Sequence, residues 1–319
     1  MTLLDAPHFD FAAVIAIVRE RYGFDATPSP LPSERDQNFH IRAAHAEFVL
    51  KIANAQDDIA LLRAQNAAMA HAAASGARCP TVVADLHGET LTSIVAPTGA
   101  THWIRLVTWL PGTPLGVSPD RSRALLGDIG RRVGELDRAL ATFDDPAIHR
   151  DFYWDLAKAR SIVDEHRALV TDREIRAIVD ETCERFDRDT APLLPMLRRS
   201  TIHNDANEYN VLVERERVSG IIDFGDLVYG WTVGDLAIAI AYAVLDREDP
   251  IEAAAIVARS YESEYALRDE EHGALLGLVR LRLAVSICVA EFQRRQRPDD
   301  DYLTISQQPI RRTLPRLLK

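Results

Sequence analysis

The stretch that most narrows what this chain can be is residues 201–226: T-I-H-N-D-A-N-E-Y-N-V-L-V, a charged turn, then I-I-D-F-G-D. Two short apolar runs, 210–214 and 218–223, flank Arg215-Glu216-Arg217 and predict a β-hairpin. His203, Asp205, Asn207, Glu208 and Asn210 crowd the approach to the first strand, and Asp223 ends the second. A hairpin brings Asn210 and Asp223 together near its open end, where their oxygens make a hard-oxygen site suited to magnesium. Asp205 can project from the loop towards the same spot. A carboxylate beside a metal, able to take or orient a hydroxyl proton, is what phosphoryl transfer requires of a protein. Any one of these residues alone reads as a turn former, because Asp and Asn bond their own backbone. The whole set, H-x-D-x-x-x-x-N followed by an apolar hairpin and I-D-F-G, is poorly explained by turns.

Elsewhere the chain has two textures. Residues 11–21 have helical periodicity, with Phe11, Val14, Ile15, Ile17 and Val18 on one side. Strand-like runs follow at 38–43 and 48–52, then an Ala-, Leu- and Gln-rich helix over 59–74 that stops near Gly76. Residues 82–84 and 102–109 predict further strands, and Pro111-Gly112 breaks the chain. Beyond it the pattern turns helical over 121–140, 154–168, 172–189, 235–244, 251–267 and 271–294. This order predicts an α+β protein in two lobes with a cleft between them. Residues 1–110 form the small sheet-bearing lobe and 111–319 the larger, mainly helical one.

The formal net charge of −11 argues against a nucleic-acid binder, whose phosphate contacts need clustered Lys and Arg. Residues 1–5 carry neither a basic start nor an apolar core, so no signal peptide is expected. The most apolar stretch, 236–245, falls far short of the about 20 residues a bilayer needs, so no membrane partner is expected. Cys79, Cys183 and Cys288 lie far apart and without metal spacing. Inert or buried thiols in a reducing cytoplasm are the expectation.

These motifs resemble the aminoglycoside phosphotransferase and choline kinase group, which has the protein-kinase-like fold. His203-Asn204-Asp205 matches the group's His-x-Asp loop, Asn210 its metal Asn, and Asp223-Phe224-Gly225 its metal Asp motif. The resemblance implies Asp205 as catalytic base, Asn210 and Asp223 as Mg2+ ligands, and ATP or GTP as phosphate donor. It implies that His203 shapes the loop, and that the small lobe is an antiparallel sheet plus helix that binds the nucleotide. Asp235 matches a recurring Asp-Leu-Ala and reads as a helix N-cap and loop brace. Phe48-Val49-Leu50-Lys51-Ile52 resembles the strand bearing the kinase lysine, so Lys51 is expected on the nucleotide phosphates. S-E-R-D-Q-N-F at 33–39 sits where protein kinases carry a glycine-rich loop, yet has no glycine. Its backbone N–H groups with Ser33, Arg35 or Asn38 are expected to cover the phosphates. Residues 107–112 would form the hinge, with Thr108, Trp109 and Leu110 at the purine; Trp109 either packs on it or belongs to the core. One departure stands out: the helix after Lys51 lacks the Glu that protein kinases pair with their lysine, and Gln65 stands near its place. Asp57 and Asp58 read as caps of that helix.

A finer resemblance is to hydroxylysine kinase-like proteins and to kinase-like domains fused to class III aminotransferases. It rests on residues 33–39, R-L-V-T-W-L-P-G at 105–112, F-Y-W-D-L at 152–156 and H-N-D-A-N-E-Y-N at 203–210. It implies transfer to a hydroxyl of a small amine or amino acid, hydroxylysine-like, by a monomer or homodimer. Asp155, Asp226 and Glu291 would attract an ammonium group, and Trp154 and Trp231 could add cation–π contacts. Each of these five also reads as a cap, core residue or surface charge. Arg150 and Arg282 are the candidates for a substrate carboxylate. The competing expectation is a non-catalytic kinase-like module that binds nucleotide as a sensor. Transfer to a protein Ser or Thr is disfavoured, because no Ala-Pro-Glu follows Asp223 and the next helix starts by Asp235.

Overall fold

The computed structural model describes residues 7–33, 35–96, 98–119, 122–297 and 305–319. Residues 1–5, read above for a leader, Glu34 of the polar loop, and Arg121, the expected start of a helix, lie outside them. The chain divides into two units: Met1–Ser75 with Cys79–Pro111, and Gly76–Arg78 with Gly112–Lys319.

In the first unit, helix α1 (Phe11–Tyr22) starts at Asp10, whose side chain accepts the Ala13 N–H, and ends at Gly23 in the left-handed region. Then come β1 (Thr27–Leu31), β2 (Gln37–Arg42), β3 (Glu47–Ile52), α2 (Ile59–Ala74), β4 (Val82–Val83), β5 (Thr92–Val95) and β6 (Thr101–Thr108). The strands form one antiparallel sheet in the order β1-β2-β3-β6-β4, with β5 also on β6. Alternation along it points Phe39, Ile41, Leu50, Ile52, Ile104 and Leu106 to one face, where they meet Val14, Val18 and Tyr22 of α1. Sequence reading passed over β1 because T-P-S-P-L carries two prolines. As the outer strand it tolerates them, since an edge has N–H positions that no ladder needs.

In the second unit, β7 (Thr113–Pro114) and α3 (Arg123–Leu140) precede α4 (Ala159–His166) and α5 (Arg173–Arg185). Strands β8 (Arg199–Ile202), β9 (Val211–Glu214), β10 (Arg217–Ile221) and β11 (Val228–Trp231) follow. Helices α6 (Thr232–Ala243), α7 (Pro250–Glu262), α8 (Asp269–Gln296) and α9 (Gln307–Leu317) complete it. β9 and β10 make the expected hairpin, with Arg215 at φ 55° in its turn, and β7 adds to its side. The expected helix over 154–168 instead opens with a 3-10 turn, Leu156–Lys158, capped by Asp155. The expected helix over 172–189 loosens into a π turn at Phe186–Thr190, just before Pro192 and Pro195. The β8–β11 pair was not anticipated: its residues are almost wholly buried, and a buried strand shows no alternation. Among the described residues, α8, not 236–245, is the segment long and apolar enough to cross a bilayer by composition, and 78% of its apolar window is buried inside the protein. The three cysteines are buried and unlinked. Burial pushes the Cys79 and Cys288 thiols up to about 12.

α3 and α7 approach closely enough that no side chain fits at two glycine positions of α3. A Cβ on Gly130 would lie 2.0 Å from the Val257 carbonyl oxygen, and one on Gly134 2.8 Å from that of Tyr261. Residues 130, 134 and 137 share one helix face, so the glycines bring α7 within reach of Asp137, whose Oδ2 accepts from the Tyr261 hydroxyl at 2.6 Å. Gly130→Ala would gain about 1 kcal/mol in helix propensity but must push two backbones apart. The expected net result is a loss of about 2–3 kcal/mol, read as a lower urea midpoint with unchanged m-value. A stability equal to or above wild type would contradict this packing.

Candidate active site

The site is built from the ends of β8, β9 and β10 and from one turn of α8. β8 delivers the chain into residues 203–210, and the hairpin's open end is closed by Ile222 N–H donating to Asn210 O at 2.9 Å. That bond places Asn210 beside the residue preceding Asp223. Two residues here hold positive φ without being glycine, Asn204 (66°) and Asp223 (67°). Asn and Asp tolerate this conformation best, because a short polar side chain can bond locally. Asp223 does so, accepting from Gly225 N–H at 3.2 Å.

Asp205 is gripped from three directions. Its Oδ2 accepts from Asn210 Nδ2 at 2.7 Å and from Asn207 Nδ2 at 3.0 Å. Its Oδ1 accepts from Arg282 Nη2 at 3.1 Å, with the Arg282 side chain 4% exposed and that of Asp205 20%. Arg282 lies near the Trp154 ring (5.1 Å) and the Tyr242 ring (5.6 Å). Burial raises the Asp205 carboxyl well above the ordinary carboxylate range, and the charges of Asp226 and Asp223 add to this; Arg282 and the Asn207 hydrogen bond oppose it.

His203 is fully buried and ties the loop to the hairpin. Its Nδ1 accepts from Asp205 N–H at 3.2 Å, so Nε2 carries the hydrogen that meets Ile222 O at 3.1 Å. Its ring stands edge-on to Phe224. Asp235 was expected to cap a helix and brace the loop; α6 begins at Thr232, leaving Asp235 inside its first turn rather than at its cap. The brace stands: its two oxygens accept the backbone N–H groups of His203 (2.7 Å) and Asn204 (2.5 Å).

The donor set suits a hard cation. Among the described residues no three His, Cys, Asp or Glu side chains form a self-sufficient metal cage. Instead the hairpin mouth offers one amide and neighbouring carboxylates. Asn210 uses its nitrogen on Asp205, so its carbonyl oxygen is the atom left to offer a metal. The repulsion that Asp226 and Asp223 exert on Asp205 is what a divalent ion would relieve. Such a partial set fits an ion that completes its shell with phosphate oxygens and water.

The acceptor-side residues fare differently. Trp154 reaches the site through Arg282, and Asp226 through its charge on Asp205. Asp155 caps its own turn by accepting from Ala157 N–H. Trp231 is buried at the end of β11. Glu291 accepts from Arg294 and Arg311, one on each oxygen. Arg150 donates to the carbonyls of Gly225 and Leu227. Arg282 was considered for a substrate carboxylate, and its contact with Asp205 escaped sequence reading, as did the role of Asn207. The spacing to Arg282 spans 77 residues, so only the fold reveals the first; D-A-N at 205–207 was a local signal for the second.

In the first unit, Lys51 lies on β3 opposite Asn38 of β2 and Arg105 of β6. Gln65 Oε1 and Asn66 Oδ1 both accept from Arg105, at 2.8 and 2.9 Å. Asp58 caps α2, while Asp57 accepts from Arg35 at 2.8 Å. Ser33 Oγ accepts from Asp36 N–H. The Thr108 and Trp109 N–H groups bond Thr81 O and Glu47 O, and the Trp109 ring stacks on His40 at 4.0 Å. Leu110 is half-buried.

Comparison with known proteins agrees with this architecture. The phosphotransferase enzyme family matches residues 27–273. Hydroxylysine kinase from Xenopus laevis is 30% identical over 323 residues, 92% of this chain and 85% of that protein. Amicoumacin kinase, solved with AMP-PNP and Ca2+, shares the fold with a TM-score of 0.72 at 15% identity, over 96% of this chain and 93% of that one. A microcompartment-associated aminopropanol kinase does so with a TM-score of 0.69 at 16% identity, over 97% and 98%. The protein-kinase-like fold and the match over most of the sequence lead to one conclusion: this chain belongs to the phosphotransferase enzyme family and is a small-molecule kinase whose acceptor is a hydroxyl group.

Proposed function

We propose that this kinase moves the terminal phosphate of ATP or GTP, with Mg2+, to the hydroxyl of a small hydroxylated amino acid of the hydroxylysine type. The observation that carries the reading is Asp205, held by Asn207, Asn210 and Arg282 beside Asp223 and Asp226. Asp205 takes or orients the acceptor proton, and Asn210 and Asp223 ligate the metal, which supplies neutralisation of phosphate charge. Residues 1–110 act as the nucleotide lobe, where Lys51 meets the phosphates, Ser33, Arg35 and Asn38 cover them, and Thr108 to Leu110 receive the base. Residues 111–319 hold the metal and the acceptor. The acidic neighbourhood of Asp205 favours an acceptor carrying an ammonium group, and the resemblance to hydroxylysine kinase over 92% of the chain favours an amino acid. The reading places the enzyme in the cytoplasm as a monomer or homodimer, without a membrane partner, and the net charge of −11 fits an enzyme without nucleic-acid partners.

An acceptor panel with ATP and with GTP tests this. Turnover is expected with hydroxylysine above amino alcohols, and with aminoglycosides last. Asp205→Ala should lower kcat by about 10²–10⁴ with nucleotide binding intact. Metal-dependent nucleotide binding without turnover on any acceptor would instead point to a sensor module.

Arg282→Met leaves Asp205 facing Asp226 with no opposing cation. It should lower kcat by about 10²-fold while nucleotide affinity changes little, and destabilise the fold by about 3 kcal/mol. Unchanged kcat would remove Arg282 from the account of the site.

A further inference from the structure

Behind the loop that carries Asp205 lies a second pair of carboxyl groups. Asp235 and Asp137 are both fully buried. Asp235, on α6, has both oxygens engaged by backbone N–H groups at 203 and 204. Asp137, on α3, accepts from the Tyr261 hydroxyl through Oδ2, while its Oδ1 is buried with no donor from the protein. That second oxygen belongs to a carboxyl that meets the Asp235 carboxyl side chain to side chain. Two bare carboxylates facing each other in a dry interior repel strongly, whereas one proton between them makes a charge-assisted hydrogen bond.

The groups around Asp137 support that arrangement. From α6 it faces Asp235 and from α7 the Tyr261 phenol. A cation acting on it is Arg198, next to β8, which is already paired with the buried Glu271 of α8. Burial, then the charge of Asp235, hold the Asp137 carboxyl well above the ordinary range. Burial and the neighbouring Asp137 likewise keep the Tyr261 phenol protonated.

We propose that Asp137 is a positioning residue that donates a proton to Asp235, and that this hydrogen bond fixes the carboxylate from which the 203–205 loop hangs. The chain of contacts runs from Tyr261 hydroxyl to Asp137, from Asp137 to Asp235, and from Asp235 to the backbone on which Asp205 is presented. Close approach of α3 and α7 at Gly130 and Gly134 sets its first link. The effect on catalysis rests on Asp205 being the acceptor-side carboxylate; the effect on stability does not.

Linkage gives the sign. A carboxyl whose folded-state pKa is raised stabilises the fold fully below about pH 4, and that contribution falls about tenfold in the folding constant per pH unit until the folded group titrates. Asp137→Asn is isosteric, with an amide to donate to Asp235 and an oxygen for Tyr261, and it needs no proton. Urea unfolding of Asp137→Asn and wild type across pH 5–9 is therefore expected to show the variant gaining on the wild type as pH rises. Its kcat should stay within about threefold of wild type over that range. Asp137→Ala should lose at least tenfold in kcat with nucleotide KM unchanged. An infrared band of a protonated carboxyl, present in wild type and retained in Asp205→Asn, should be lost in Asp137→Asn. The proposal is overturned if Asp137→Asn fails to fold, falls as far as Asp137→Ala, or keeps the wild-type pH slope, since each would mean an ionised Asp137. Normal stability behaviour with no phosphate transfer by wild type to any acceptor would leave the proton bridge standing and remove the reading of Asp205.

Discussion

The reach of the Asp235 carboxylate back to the N–H groups of His203 and Asn204 is the constraint on which the site depends. Those donors sit where the chain leaves β8 and enters a left-handed turn at Asn204. An unpaired buried N–H costs about 1–3 kcal/mol, and an αL residue adds strain. Asp235 offsets both, because a carboxylate bonds more strongly than a neutral acceptor. With the turn fixed, Asp205 faces Asn210 and Arg282, and His203 closes the loop onto Ile222.

Charge at the site follows a consistent logic. The charges of Asp226 and Asp223 raise the cost of ionising Asp205, with Arg282 as the counterweight given by the structure. A site of this kind stores affinity for a cation, and a bound cation reverses the sign of the field felt by phosphate oxygens.

Much of this was legible in the sequence because the relevant spacings are short. The hairpin, its charged turn and the polar approach to it lie within residues 201–226; helical periodicity marked α1, β-branched and aromatic runs marked β2 and β3, and Ala-, Leu- and Gln-rich composition marked α2. What escaped reading depends on tertiary burial. β8 and β11 are almost wholly buried and show no alternation, and β1 hides behind Pro28 and Pro30. Asp235 lost its expected capping role because Trp231 and Thr232 start the helix earlier, driven by a segment buried throughout. Arg282 could not be tied to Asp205, nor Asp137 to Asp235, since helices far apart in the chain bring them together. Trp231 and Glu291 looked available from composition, yet one is buried at a strand end and the other lies between two arginines.

The central claim is that Asn210 and Asp223 jointly offer oxygens to one divalent ion while Asp205 serves the acceptor. Electron paramagnetic resonance of Mn2+ bound with a non-hydrolysable nucleotide measures this directly. Asp223→Ala and Asn210→Ala should each weaken ion binding by at least roughly tenfold, and Asp205→Asn should leave the ion in place. Wild-type ion affinity in Asp223→Ala would contradict the account.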